Sequence, residues 1–214
     1  MVRGLRKRVF GLSSLKTFVY LISPNKIEKN FYRKLDKVLS FKNVKYFHLR
    51  LKNTKKNSLF KVAKSIRKIT RKHKVKFIIN DDFSLIDKIK ADGCHMGQLD
   101  GSFTKARKKL KNKIFGITCH NSKILVKNSL KFKADYIALG SFFKSKLKPN
   151  AKKAKISILK WAKKEIKKPI GVIGVINNYN YKKLINSGAN YIAISSFIWD
   201  NPSLKPEQAI EMFK

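Results

Sequence analysis

VKFIINDDFSLIDKIKADGCHMGQLD, residues 75–100, reads as strand, polar turn, short helix, strand and polar turn. Val75 to Ile79 is an apolar, β-branched run of the kind found in strands buried on both faces. It stops at Asn80, Asp81 and Asp82, and a second run, Asp92 to Met96, stops at Gly97, Gln98 and Asp100. Two parallel strands joined by a short crossover bring both C-terminal ends to one edge of a sheet. Asp81 and Asp100 are therefore expected side by side. Left alone, the two carboxylates would repel, and a divalent cation between them relieves the repulsion. Mg²⁺ suits the pair because it binds through one or two carboxylates and shares the rest of its shell with water and phosphate oxygens. The competing reading is helix N-capping, since each Asp precedes a helix.

The alternation continues on both sides. Strands are expected at 17–22, 44–51, 113–118, 134–140, 169–174 and 189–195. Helices are expected at 27–39, 58–71, 103–110, 122–132, 156–167, 179–186 and 202–213. Leu59, Val62, Ile66 and Ile69 form one helical stripe. His73, at the end of that helix, suits the dipole there and reads as structural. In VKYFHLRL (44–51), Tyr46, His48 and Arg50 face one side, and Phe47, Leu49 and Leu51 the other. Eight strand–helix units predict an α/β fold, a (β/α)₈ TIM barrel forming one domain over 17–214. A doubly wound sheet fits less well, because no Gly-rich turn follows the first strand. Residues 1–16, MVRGLRKRVFGLSSLK, read as a basic N-terminal arm rather than a secretory signal.

The 214 residues include 51 Lys and Arg against 12 Asp and Glu, a formal net charge of +39, and 43% are hydrophobic. That hydrophobic share supplies a full core and excludes global disorder. The lysines are scattered, which reads first as compositional bias; phosphorylated small-molecule ligands fit it too. No apolar run approaches the roughly 20 residues of a membrane span, and no RNA-recognition signature is present. Cys94 and Cys119 lie in expected strands and read as reduced core thiols of a cytoplasmic protein. Each precedes a His, but adjacent strand residues face opposite sides, which disfavours zinc.

Barrel enzymes carry their sites at the C-terminal ends of the strands. The residues expected there are His48, Arg50 and Lys52; Asn80 and Asp81; Gln98 and Asp100; Thr118 and His120; Ser145 and Lys148; Gly174; Ser195 and Ser196. Two acids, three cations and several hydroxyls on one rim suit a diphosphate held through a metal. No Ser-His-Asp or Cys-based nucleophile arrangement is evident.

In HLRLK (48–52), IND (79–81), DGCHMGQLD (92–100), GITCHN (116–121), ADYIALGSFFKSKLK (134–148), GVI (174–176) and ANYIAISSFI (189–198), the chain resembles the thiamine phosphate synthase family and its relative, the thiazole tautomerase. The resemblance covers about residues 17–198 and implies a (β/α)₈ barrel. Such an enzyme joins hydroxymethylpyrimidine diphosphate to a thiazole phosphate and releases pyrophosphate, without a protein nucleophile. The resemblance assigns His48, Arg50, Lys52 and Asn80 to the pyrimidine diphosphate, and Asp81 and Asp100 to Mg²⁺. It puts Thr118 beside the substrate and Lys148 on the diphosphate. Ser145, Gly174, Ser195 and Ser196 fall to the thiazole phosphate. Arg50, Lys52, Thr118 and Lys148 are the expected catalytic set. Three positions depart from the family: His48 replaces Gln, Leu147 replaces a loop Thr, and Val175 replaces the second Gly of a turn. The alternatives are a thiazole tautomerase, in which a histidine at the place of His120 moves protons, and a non-catalytic basic barrel binding RNA or another anionic partner.

Overall fold

Eight parallel strands close on themselves in the computed structural model, which describes residues 18–143 and 153–213. They are β1 (Phe18–Ile22), β2 (Val44–Leu49), β3 (Lys76–Asn80), β4 (Gly93–Met96), β5 (Ile114–His120), β6 (Tyr136–Gly140), β7 (Ile170–Ile173) and β8 (Tyr191–Ile194). The helices are α1 (Phe31–Leu39), α2 (Lys56–Lys72), α3 (Phe103–Leu110), α4 (Lys123–Lys131), α5 (Ile156–Glu165), α6 (Tyr181–Asn186), α7 (Ser196–Trp199) and α8 (Pro206–Glu211). Each strand pairs with its neighbour in sequence, and β1 pairs with β8 to close the ring. The expected barrel is the observed one. The arm expected at 1–16 lies outside the described residues. Among the described residues no helix is long and apolar enough to cross a membrane.

Two expected helices differ. The crossover between β3 and β4 is only a 3₁₀ turn, Phe83–Leu85. The helix expected over 202–213 is shortened to α8, and a further short helix, α7, precedes it. Asn201 Oδ1 accepts from the backbone N–H groups of Ser203 and Leu204, both at 3.1 Å, which turns the chain. Pro206 then opens α8, where its missing N–H is no loss. Trp199, on α7, donates its indole N–H to Ile22 O at 2.6 Å and packs on Phe31, 5.1 Å between ring centroids. It thereby covers the seam between the first and last strands.

Strand alternation sorts the core into two layers. Phe47, Phe77, Cys94, Phe115, Leu139 and Val172 face the helices. The barrel interior holds Tyr20, Tyr46, Tyr136 and Tyr191, four rings within 6.4 Å of one another. Two of them are seated on glycines. A Cβ on Gly116 would lie 2.0 Å from Tyr136 Cζ, and one on Gly171 would lie 2.2 Å from Tyr191 Cε2. Toward the C-terminal end the inward positions shrink, from Tyr136 to Ala138 to Gly140 and from Tyr191 to Ala193. The rings fill the middle of the barrel, and the small residues of β6 and β8 stand beyond them.

The opposite end is fastened by a repeated device. Asp92, Asp135 and Asn190 each stand just before an even-numbered strand. Each accepts from a backbone N–H at the start of the preceding strand: Phe77 at 2.8 Å, Phe115 at 2.9 Å and Ile170 at 2.9 Å. The two acids also hold arginines from the outer helices, Arg67–Asp92 at 2.6 Å and Arg107–Asp135 at 2.9 Å. Asp135→Ala strands both a backbone N–H and a poorly exposed guanidinium, so it should lower unfolding stability by about 3 kcal/mol in urea titration. Asp135→Asn keeps the Phe115 bond, as Asn190 does for Ile170, and should cost distinctly less.

Candidate active site

Asp81 and Asp100 come together where β3 and β4 end. Asn80 pairs with His95 across the two strands, and the Asp81 backbone N–H donates to His95 O at 2.9 Å. Neither Asp caps a helix. Asp82 caps the 3₁₀ turn through the Ser84 N–H at 3.0 Å, and Ser102 caps α3 through the Lys105 N–H at 3.3 Å. Asp81 sits in the left-handed region at φ +57, which aims its side chain away from the strand direction. Asp100 Oδ2 accepts the Gly97 N–H at 2.8 Å, and a Cβ on Gly97 would lie 2.5 Å from that oxygen. Asn80 Nδ2 donates to Asp81 Oδ2. Asp81 and Asp100 are close enough for each carboxyl to act on the other. Burial first, and then Asp100, push the Asp81 carboxyl up to about 7, against the opposing pull of Lys52 and Arg50.

Among the described residues no group of three or more His, Cys, Asp and Glu converges. A zinc cage has no ligands here, with Cys94 facing the helices and His95 inside the barrel. Two carboxylates with cations alongside do suit Mg²⁺, which completes its shell with water and phosphate oxygens.

His48 is 3% exposed, and its Nε2 has no hydrogen-bond partner among the described residues. Burial, then His95 and Arg50, hold it neutral, well below the usual imidazole range. The Arg50 N–H donates to Ser23 Oγ at 3.0 Å and Ser23 Oγ donates to Arg50 O at 3.3 Å, which pins the ends of β1 and β2 together. Arg50 is half-buried and Lys52 exposed. Thr118 is half-buried with its Oγ1 2.8 Å from His95 Nε2, and Gln98 donates its side-chain amide to Thr118 O. His120 follows an irregularity in the β5–β6 register, at φ +50, and is exposed.

Gly174, at φ +119, has room for no side chain: a Cβ would lie 2.1 Å from Ser141 Oγ and 2.7 Å from Phe142 N. Val175 follows at φ +46, an unfavourable place for a β-branched residue. Ser195 donates its hydroxyl to Ser23 O at 3.0 Å, across the β1–β8 seam. Ser196 is exposed at the start of α7. Ser145, Leu147 and Lys148 lie outside the described residues. Sequence reading missed His95, Tyr136 and Tyr20, which lead inward from Thr118. Each stands at an inward position of its strand, but only closure of the barrel brings them together.

The family model for thiamine monophosphate synthase matches residues 19–198. A thiamine-phosphate synthase of Pelagibacter ubique (strain HTCC1062) is 50% identical over 200 residues, covering 93% of this chain and 97% of that protein. One from Erythrobacter litoralis (strain HTCC2594) is 33% identical over 202 residues, covering 92% and 95%. Among solved structures, a thiamine phosphate pyrophosphorylase from Pyrococcus furiosus superimposes with a TM-score of 0.82 at 24% identity, covering 92% of this chain and 94% of that one.

Two consequences of this geometry are measurable without substrate. Asp81 ionises less readily in the fold than in the unfolded chain, so its contribution to stability is full below about pH 4 and is lost as pH rises through about 7. Asp81→Asn should therefore raise the urea midpoint at pH 8 in EDTA, and raise it less at pH 5; equal gains at both would place the cause elsewhere. Val175→Gly removes left-handed strain of about 1–2 kcal/mol and adds about 0.5–1 kcal/mol of backbone entropy loss. A net gain of up to about 1 kcal/mol should appear in thermal unfolding.

Proposed function

The chain belongs to the thiamine monophosphate synthase family and is a transferase of that kind, and we propose that its β3–β4 rim is where hydroxymethylpyrimidine diphosphate is held and cleaved. The observation that carries this is the Asp81–Asp100 pair, freed from capping, with Arg50 and Lys52 acting on it. Asp81 and Asp100 are the residues that would hold Mg²⁺, which when bound supplies positive charge to the diphosphate oxygens. Arg50 and Lys52, with Lys148, which follows β6 in sequence, bind those oxygens and stabilise the pyrophosphate as it leaves. The bond between the methylene carbon and the diphosphate oxygen breaks, and its electron pair stays on pyrophosphate. The aminopyrimidine ring feeds electrons to the methylene cation. The thiazole nitrogen then donates its lone pair to that carbon, which gives thiamine phosphate. The protein's share is charge and position.

His48 and Asn80 meet the pyrimidine. The family's Gln offers a donor and an acceptor, whereas a neutral imidazole offers a single atom at Nε2. Ser145, Gly174, Ser196 and the Ser195 backbone form the thiazole-phosphate half. The Val175 side chain narrows that half, since a Cβ limits how closely backbone and phosphate approach. Moving a proton on a thiazole needs no metal-held diphosphate, so the acid pair speaks for the synthase over the tautomerase. Unpaired, buried Cys94 and Cys119 suit a cytoplasmic setting.

The test is turnover. With both substrates and Mg²⁺, the protein should release pyrophosphate and thiamine phosphate in equal amounts, and EDTA should abolish both. Asp81→Ala and Arg50→Ala should each lower kcat/KM by about 100- to 1000-fold. Full activity in Asp81→Ala would refute the metal role.

A further inference from the structure

A line of hydrogen bonds runs from the barrel centre to the rim. Tyr20 Oη is 2.7 Å from Tyr136 Oη, Tyr136 Oη is 2.9 Å from His95 Nδ1, and His95 Nε2 is 2.8 Å from Thr118 Oγ1. We propose that this chain has one direction, Tyr20 to Tyr136 to His95 to Thr118, and that it leaves the Thr118 hydroxyl hydrogen aimed at the rim as a donor to the substrate. The last step rests on the reading that Thr118 borders the substrate.

The direction follows from the buried end. Tyr20 is 3% exposed and lies between the stacked rings of Tyr46 and Tyr191, at 5.4 and 5.6 Å. Among the described residues its only hydrogen-bond partner is Tyr136. If Tyr20 accepted, its own hydrogen would be buried without an acceptor. If it donates, only a lone pair goes unused, and orphaned donors are rarer than orphaned acceptors. Tyr20 therefore donates to Tyr136. The one hydrogen of Tyr136 must then go to His95 Nδ1. Nδ1 accepts only when bare, and His95, buried between two hydroxyls with no acid on either nitrogen, is neutral. Its single proton is on Nε2 and is donated to Thr118 Oγ1. Thr118 cannot also donate to His95, so its hydrogen is free for the rim. A donor fixed in this way needs no reorganisation when charge develops in front of it. The reverse chain would bind the Thr118 hydrogen to His95 and offer the substrate only lone pairs. Tyr20, Tyr136 and His95 are thus positioning residues for Thr118.

The tautomer of His95 can be read in the protein alone. Histidine-labelled protein, with the His95 signals assigned by their loss in His95→Gln, should show by ¹⁵N NMR a protonated Nε2 and a bare Nδ1. Tyr136→Phe keeps the ring seated on Gly116 and removes only the hydroxyl. It makes His95 the buried end, so the proton should stay on Nε2, where Thr118 Oγ1 accepts it, while kcat falls about tenfold with the loss of the bond that polarises His95 toward Thr118. KM for both substrates should stay within about twofold, since the lost interaction serves the reacting state. Tyr20→Phe should keep the Nε2 proton, because Tyr136 then becomes the buried end and still donates. In a Thr118→Val background, Tyr136→Phe should have no further effect on kcat. A proton on Nδ1 in the wild type overturns the proposal, as does an unchanged kcat in Tyr136→Phe. An Nε2 proton in a wild type that fails to turn over these substrates upholds the chain and refutes the substrate reading instead.

Discussion

Two negative charges held against each other at the ends of neighbouring strands form an arrangement that a fold must impose, because the charges themselves oppose it. The surroundings show how it is imposed. The β3–β4 ladder continues one bond beyond the strands, through the Asp81 N–H and His95 O. Gly97 lets the next turn fold tightly enough for its N–H to grip Asp100. Asp82 and Ser102 take over the capping work next to each acid. Burial first, and then the neighbouring Asp100, make Asp81 reluctant to ionise. A divalent cation is what would relieve that tension.

The two ends of the barrel have different duties. Stability is concentrated at the N-terminal end, where Asp92, Asp135 and Asn190 fasten one strand to the next and two arginines tie helices to strands. At the C-terminal end stand left-handed Asp81, His120 and Val175 and the unpartnered Nε2 of His48; left-handed Lys74, Lys90, Lys111 and Lys133 lead into strands at the other end. Substitutions at the mouth thus leave the fastening at the other end untouched. The departures at His48 and Val175 both lie at the mouth.

The barrel was legible because its outer layer is written in period-two runs of Val, Ile, Leu and Phe, and eight of them alternate with helical stripes. The Asp81–Asp100 juxtaposition was legible for the same reason, since parallel neighbours share an edge. What lay beyond reach was anything decided by contacts across the barrel. Tyr20, Tyr136 and Tyr191 read as ordinary strand residues, and only closure turns them into one cluster seated on Gly116 and Gly171. Capping was ambiguous because two candidate oxygens stood within two residues of each other at both turns, and propensity does not choose between Asp81 and Asp82. The last helix was drawn too long because its apolar spacing continues through a turn that Asn201 and Pro206 impose. The hydrogen bond of Ser195 to Ser23 O across the β1–β8 seam was likewise beyond reach.

Trp199 lies where the first and last strands of the chain meet, bonded to a carbonyl of β1 from a helix that follows β8. Those two strands are the most distant in sequence, and their pairing is the contact with the largest loop to close. The other tryptophan, Trp161, lies on α5 beside Lys123, away from that junction. Indole emission from Trp199 is accordingly a built-in gauge of ring closure. It separates the moment when the ends of the polypeptide find each other from the earlier formation of its individual strand–helix units.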